Sequence, residues 1–381
     1  MNTVDVRPEL FRWARERGGL DIAVLKKRFP KLEAWERGEA KPSMAQLENF
    51  AKFTHAPIGF LFLPSPPVEA IPIPDFRRMS GERPQRPGAD LLDVIYLCQQ
   101  RQDWFRDYAQ TSAEPRRVFV GSARLGDDPL AVAADIGARL GFDLEGRARL
   151  PSWTEALRRF IEEVDAIGVL VMVSGVVGSN TRRVLDPREF RGFALSDDLA
   201  PLVFVNGADS KAAQMFTLAH ELAHLWLGQS ALSDASLLES SSVEVERWCD
   251  RVAVELLVPM ESFRNDYDPE ADRGDEAARL ARRYKVSSLV ILRRMRDGGG
   301  LDREAFVRAY EEELGHLREV TRAGGGDFYR SLGARVGKTF ARAVVLSTLE
   351  GRSSFTDAFR MLGFKKMSTF TELSRSLGLA F

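Results

Sequence analysis

Apolar residues recur at helical spacing along most of the chain, so that their side chains gather on one face of each helix. This pattern predicts helices over 90–110, 128–142 and 154–168. Three shorter apolar or alternating stretches predict strands, namely GVLVMVSG (168–175), REFRGFALSD (188–197) and PLVFVN (201–206). Helical periodicity then returns in FTLAHELAHLWLG (216–228) and VEVERWCDRVAVELLVP (243–259). We therefore expect an α+β protein that is predominantly helical.

The domain organisation is predicted from the length of the chain and from a proline-rich strip within it. With 381 residues, 44% of them hydrophobic and 29% charged, the chain has the composition of an ordinary globular protein and room for several cores. One strip, LPSPPVEAIPIPDFRRMSGERPQRPG, holds seven of the 18 prolines and predicts an extended connection between domains. We predict five parts: 1–65, 66–125, 126–262, 263–300 and 301–381.

The net charge and the cysteine content bear on the partners and the cellular compartment of the protein. The net charge of −1 gives no overall field that would attract nucleic acid or an anionic membrane. Cys98 and Cys249 form no CxxC pair, so a disulfide framework is not predicted. The charged N-terminus does not resemble a signal peptide, and no apolar run is long enough to span a membrane. We expect a cytoplasmic protein.

The candidate chemistry begins at FTLAHELAHLWLG, which holds two of the four histidines in the chain. On a helix, His220 and His224 point the same way one turn apart, a spacing at which two imidazoles can bind one tetrahedral zinc ion. Glu221 lies about 100° around the helix, within reach of a water on an open coordination position. The alternative is a pair of core histidines that donate to backbone carbonyls.

A third ligand is predicted on the next helix, ERWCDRVAVELLVP. Its apolar stripe, extended by helical steps, includes two carboxylates, Glu246 and Asp250. Because an unpaired buried charge is costly, we predict that Glu246 binds the metal and that Asp250 accepts a hydrogen bond from a ligand histidine. An acidic pair on an exposed edge of the helix is the alternative.

Together these motifs, HELAH followed by ExxxD, resemble the gluzincin pattern of thermolysin-like peptidases. More narrowly, the segment from about 130 to 300 resembles the ImmA/IrrE family of bacterial zinc peptidases, although Asp250 stands where that family commonly has Asn. The resemblance implies a zincin-like core with a small mixed sheet, and one zinc ion per chain held by His220, His224 and Glu246. It also implies that the zinc polarises a peptide carbonyl and acidifies a bound water, from which Glu221 takes a proton.

The resemblance also suggests where a substrate binds and what it is. In zincins an extended substrate lies along an edge strand beside the active-site helix. We predict this edge at Arg191, Gly192, Phe193 and Ala194. Tyr284 and His316 could stabilise an oxyanion, but a structural role is the simpler interpretation of both. Family members are associated with cleavage of helix-turn-helix repressors or antitoxins, which relieves transcriptional repression.

Two further segments have helix-turn-helix character. LEAWERGEAKPSMAQLENFAKF resembles the second half of an XRE/Cro-type domain, but the recognition helix before it is truncated. Packing or protein contact is the alternative to DNA binding. In EAARLARRYKVSSLVILRRMRD we expect the Arg and Lys residues mainly on a solvated face.

The leading hypothesis is therefore a zinc-dependent endopeptidase that cleaves a helix-turn-helix repressor or antitoxin. The alternative is an XRE-family DNA-binding regulator, or an antitoxin-like partner-binding protein, with a structural or silent zinc site.

Overall fold

The computed structural model describes residues 3–75, 87–141, 143–233, 244–320, 333 and 335–379, with the backbone alone for 316–320. Over this part the protein is predominantly helical with a small mixed sheet, which confirms the predicted α+β class. The chain divides into two compact units, one made of residues 1–72 and 79–96 and the other of residues 73–78 and 97–381. No helix among the described residues is long and apolar enough to cross a membrane.

The elements follow in chain order. The helices before the sheet are α1 Pro8–Arg17, α2 Ile22–Arg28, α3 Leu32–Glu36, α4 Met44–Thr54, α5 Ala89–Thr111, α6 Pro129–Leu140, α7 Leu144–Ala148 and α8 Trp153–Ala166. The strands are β1 Leu170–Ser174, β2 Val176–Val177, β3 Asn180–Val184, β4 Gly192–Leu195, β5 Leu202–Asn206 and β6 Ala231–Ser233. The helices that follow β5 are α9 Lys211–Trp226, α10 Glu244–Leu257, α11 Met260–Asp266, α12 Arg273–Tyr284, α13 Ser288–Asp297, α14 Arg303–Val320, α15 Lys338–Leu349, α16 Phe355–Leu362 and α17 Met367–Ser376.

The sheet has four strands in the order β1-β5-β4-β6, and β2 and β3 form a separate hairpin. β1 runs parallel to β5, whereas β4 is antiparallel to both β5 and β6. Every residue of β4, β5 and β6 is buried, which explains why these strands read as apolar runs instead of alternating.

Both outer strands of the sheet are approached by other backbone. On the outer side of β6, the Leu232 N–H donates to the Pro74 carbonyl at 2.9 Å. Beside β1, Gly337 has a φ of +78°, and a Cβ at this position would lie 2.9 Å from the carbonyl oxygen of Val171. A side chain at residue 337 would therefore meet both backbone strain and a clash.

Helix α9 lies in the core of the second unit and packs against α8, α10 and the sheet. The Ser210 side chain caps its start by accepting from the Ala213 N–H, and Gly228, with a φ of +69°, follows its end. All side chains from Gln214 to Trp226 are buried. The polar residues of this helix are therefore surrounded by protein, which is the setting in which they need specific partners.

The first unit has its own core. The helices α1–α4 enclose an aromatic cluster that includes Phe11, Trp35 and Phe50. Helix α3 has only five residues. Helix α4 begins with a capping box in which Ser43 accepts from the Gln46 N–H and the Gln46 side chain accepts from the Ser43 N–H.

Helices α12 and α13 add their apolar faces to the core of the second unit. Their charged residues do not all face solvent, because Arg293 and Arg294 of α13 are each only 5% exposed. The expectation of a mainly solvated basic face is wrong for these two arginines. The guanidinium of Arg294 donates to the Val258 carbonyl and to Glu255, contacts that fix the end of α10.

Candidate metal centre

Two consecutive turns of α9 carry the histidines of the centre. His220 and His224 are both 0% exposed, and their ring centroids are 5.0 Å apart. Their Nε2 atoms lie 3.2 Å from each other. The i, i+4 spacing of the sequence therefore produces a convergent pair of imidazole nitrogens in the interior of the protein.

Helix α10 adds a carboxylate to this pair. Glu246, 5% exposed, places Oε2 3.3 Å from Nε2 of His220 and Oε1 3.1 Å from Nε2 of His224. Ligands about 2.0–2.1 Å from a tetrahedral zinc ion stand roughly 3.3 Å apart, so the three side chains have the mutual spacing that such an ion requires. These three residues could hold a metal ion.

Asp250, one helical turn beyond Glu246, contacts the other nitrogen of a histidine. Nδ1 of His220 lies 3.0 Å from Oδ1 of Asp250. When Nδ1–H donates to this carboxylate, the lone pair of the imidazole is left on Nε2, the atom that faces His224 and Glu246. The second carboxylate of α10 thus fixes the tautomer that a metal ligand needs.

The electrostatics of the centre favour positive charge between these groups. Burial lowers the pKa of His220, but Glu246 and Asp250 outweigh it and raise this pKa well above its usual value. Burial raises the pKa of Glu246, but His220 and His224 outweigh it and bring this pKa to about 2. Burial lowers the pKa of His224. A neutral His224 and an ionised Glu246 are the protonation states that bind cations.

Glu221 is placed beside the three ligand-capable groups but is bonded to none of them. It is 0% exposed, and its carboxylate oxygens make no hydrogen bond of ordinary geometry within the described part of the chain. Burial raises its pKa to about 8, although His220 and the Ser233 hydroxyl act in the opposite direction. Because a poorly paired buried carboxylate is costly, this arrangement favours a role in which Glu221 interacts with a further polar group such as a water.

Two features of the centre were not predicted from the sequence, namely the close approach of Gly192 to α9 and the position of Ser233. A Cβ at Gly192 would stand 2.5 Å from Thr217 Cγ2 and 3.3 Å from Glu221 Oε1, so the start of β4 can approach α9 only because it lacks a side chain. The Ser233 hydroxyl lies 3.2 Å from Nε2 of His224. No sequence motif marks Ser233, which follows a short apolar segment at the start of a serine-rich stretch.

The predicted substrate edge is wrong. Gly192, Phe193 and Ala194 belong to β4, which is hydrogen-bonded to β5 on one side and to β6 on the other. Arg191 directly precedes this strand, and its Nε lies 3.6 Å from Oδ2 of Asp209. The physical reason is the segment after α9, which returns antiparallel to β4 with Ser233 opposite Gly192. The outer strand of this side of the sheet is therefore β6.

Tyr284 has a structural partner. Its hydroxyl donates to Oδ2 of Asp266 at 2.6 Å. This contact agrees with the structural interpretation of the residue, and the side chain of His316 lies outside the described part of the chain.

The segment that carries the candidate centre is similar to a known family. Residues 164–296 match the IrrE N-terminal-like domain, the family Peptidase_M78. The match runs from the end of α8 to α13, so all residues of the candidate centre lie within the matched segment. It supports a metallopeptidase-like function of the ImmA/IrrE type.

The comparisons say less about the function of the other parts of the chain. Residues 336–376, which include α15 to α17, match a domain of unknown function, DUF8813. Neither match covers the N-terminal helices. Among curated proteins, none matches the chain.

Proposed function

We propose that this protein is a zinc-dependent endopeptidase, with His220, His224 and Glu246 as the zinc ligands and Glu221 as the catalytic residue. The observation that carries the proposal is the convergence of three ligand-capable side chains, whose nearest nitrogen and oxygen atoms are 3.1–3.3 Å apart, next to the buried carboxylate of Glu221. These residues lie within the segment 164–296, which matches the IrrE N-terminal-like domain.

The chain's own residues suggest how the reaction proceeds. A zinc ion in this centre would supply Lewis-acid polarisation of a peptide carbonyl. Glu221 takes a proton from the attacking water and passes it to the leaving amine, because burial gives its carboxylate a pKa of about 8, suited to accepting and releasing protons near neutrality. Asp250 holds the His220 ring in place throughout.

The substrate that we propose is a helix-turn-helix repressor or antitoxin, whose cleavage would relieve transcriptional repression. The support is the likeness of residues 164–296 to the IrrE N-terminal-like domain. It is support by analogy, because a fold carries many substrates and the site residues described here do not select among them.

The proposed chemistry is tested by separating zinc binding from cleavage. Glu221→Gln should retain one zinc ion per chain, because residue 221 is not a ligand, and should lose cleavage of a helix-turn-helix protein encoded beside this chain. The matched control is His224→Ala, which should lose both zinc and cleavage. Undiminished cleavage by Glu221→Gln would exclude Glu221 as the general base.

A second candidate, a partner-binding or DNA-binding regulator with a silent zinc site, has one observation in its favour. His220, Glu221 and His224 are all 0% exposed, so the centre is closed in this conformation. The length of α3 argues against sequence-specific DNA binding. This helix has five residues, which is short for a helix that must present several side chains to base edges. A gel shift with DNA from the protein's own promoter tests it: tight, sequence-specific binding without proteolysis would favour the regulator.

A further inference from the structure

A buried arginine from outside the HExxH and ExxxD helices reaches the metal centre. Arg293 lies on α13, and its side chain is 6% exposed. Its Nη1 atom is 3.7 Å from Oδ2 of Asp250. The other oxygen of the same carboxylate, Oδ1, is the one that contacts Nδ1 of His220 at 3.0 Å. Asp250 therefore stands between the arginine and the histidine.

The neighbouring arginine shows what an ordinary buried arginine on this helix does. The side chain of Arg294 is likewise 6% exposed, but its guanidinium donates to the Val258 carbonyl and to Glu255, far along α10 from the metal centre. Its role is to fix the end of one helix against another. Arg293, by contrast, faces the carboxylate that orients a ligand-capable histidine.

The charges of the centre give Arg293 a reason to be there. The carboxylates of Glu246 and Asp250 are buried beside the two imidazoles. An uncompensated buried charge is strongly unfavourable. The guanidinium of Arg293, whose Nε is also 3.9 Å from Oδ2 of Asp297, supplies positive charge beside Asp250 without occupying a ligand position.

We propose that Arg293 is a positioning residue of the metal centre, which holds the Asp250 carboxylate in the orientation that makes His220 present Nε2 to the metal. The proposal rests on the proposed function in one respect, that His220 is a metal ligand. It gives α13 a role in metal binding, beyond its packing in the core.

Zinc affinity of the full chain, measured by competition with a chromogenic chelator, tests this role directly. Loss of a partner behind a metal ligand typically weakens metal binding about 10- to 100-fold, and we expect a loss of this size in Arg293→Met. Arg293→Lys should recover most of the affinity because it keeps the charge. The matched control is Arg294→Met, on the same helix and equally buried, which should lower the unfolding temperature and leave zinc affinity within about threefold.

A double-mutant cycle isolates the path through Asp250. In an Asp250→Asn background there is no carboxylate for the arginine to hold, so Arg293→Met should change zinc affinity by less than about twofold. The cobalt-substituted protein gives a second readout, because a reoriented His220 ring should alter the visible absorption bands of Arg293→Met and leave those of Arg294→Met unchanged.

The outcomes separate the two proposals. If the wild-type protein binds zinc tightly and His224→Ala abolishes that binding, but Arg293→Met has wild-type affinity, the role of Arg293 is overturned and the metal centre stands. An equal loss in Arg293→Met and Arg294→Met also overturns it, since the effect would then be general destabilisation. A wild-type protein that binds no zinc overturns both proposals.

Discussion

The two segments with helix-turn-helix character have the same kind of sequence and different surroundings. In the first unit, α1 to α4 enclose an aromatic cluster in which Phe11, Trp35 and Phe50 contact one another, with ring centroids 5.4–6.2 Å apart. In the second unit, α12 and α13 pack into the large core around the candidate metal centre. The first segment belongs to a small core that it shares with α1, whereas the second is part of a larger core.

This difference shows where function can be sought in each segment. Because the first segment packs in a small core of its own unit, we expect changes in it to stay within that unit. A helix built into a shared core transmits changes to whatever that core contains. The contact between Arg293 of α13 and Asp250 is one route by which a change in α13 could reach the candidate metal centre. Substitutions in the two segments should therefore have different consequences for metal binding.

The largest effect should come from removing a ligand within the shared core. In Glu246→Ala, both histidines lose the carboxylate that lies 3.1–3.3 Å from their Nε2 atoms, so we expect loss of stoichiometric zinc and of all peptidase activity. Zinc content after extensive dialysis measures this. A variant that kept one zinc ion per chain would show that Glu246 is not a ligand.

The next effect tests whether the first unit is independent. Trp35 is 2% exposed in the aromatic cluster, and Trp35→Ala should lower the free energy of unfolding of the first unit by about 3–5 kcal/mol. Calorimetry should show a lower transition for this unit alone, with one zinc ion per chain retained. Loss of zinc in this variant would contradict the independence of the two units.

A smaller effect is expected where the sheet meets α9. In Gly192→Ala the new methyl group would approach Thr217 Cγ2 and the Phe204 carbonyl oxygen, at 2.5 and 2.8 Å before any adjustment. Such overpacking should cost about 1–3 kcal/mol, measured by urea unfolding. Because the same methyl lies 3.3 Å from Glu221 Oε1, cleavage should fall more than zinc affinity. Unchanged stability would mean that β4 can retreat from the helix.

The smallest effect is a cap in the first unit. Ser43→Ala removes the side chain that accepts from the Gln46 N–H at the start of α4 and should cost about 1 kcal/mol of stability. Ser43→Asp, which keeps an acceptor, is the control and should remain close to the wild type. Chemical denaturation of both variants decides the matter, and zinc affinity should not change in either.

Much of the helical framework could be predicted from the sequence, because long periodic segments record which face is buried. The segment 154–168 was predicted as a helix and is found as α8, Trp153–Ala166. The grouping of His220, His224 and Glu246 was also accessible, since it depends on spacing within two helices and on a carboxylate in an apolar stripe. The local sequence pattern is sufficient to predict such a site when each helix presents its ligands on one face.

The missed features depend on contacts that local pattern does not contain. β6 has only three residues, too few for a period to appear, and its pairing with β4 turned the predicted edge into an interior strand. Arg293 looked like a solvent-facing charge because its partner, Asp250, belongs to another helix 43 positions earlier in the chain. A buried ion pair is visible only when both helices have been brought together.

The pairing of Pro74 with Leu232 and the close passage of Gly337 beside Val171 have a consequence for colloidal behaviour. A bare outer strand invites another copy to extend the sheet from molecule to molecule. Here other backbone approaches both borders, at Leu232 through the carbonyl of a proline and at Val171 through a glycine. A truncated version starting after Asp75 would lose the first of these approaches and should form fibrils or aggregates more readily than the chain of 381 residues.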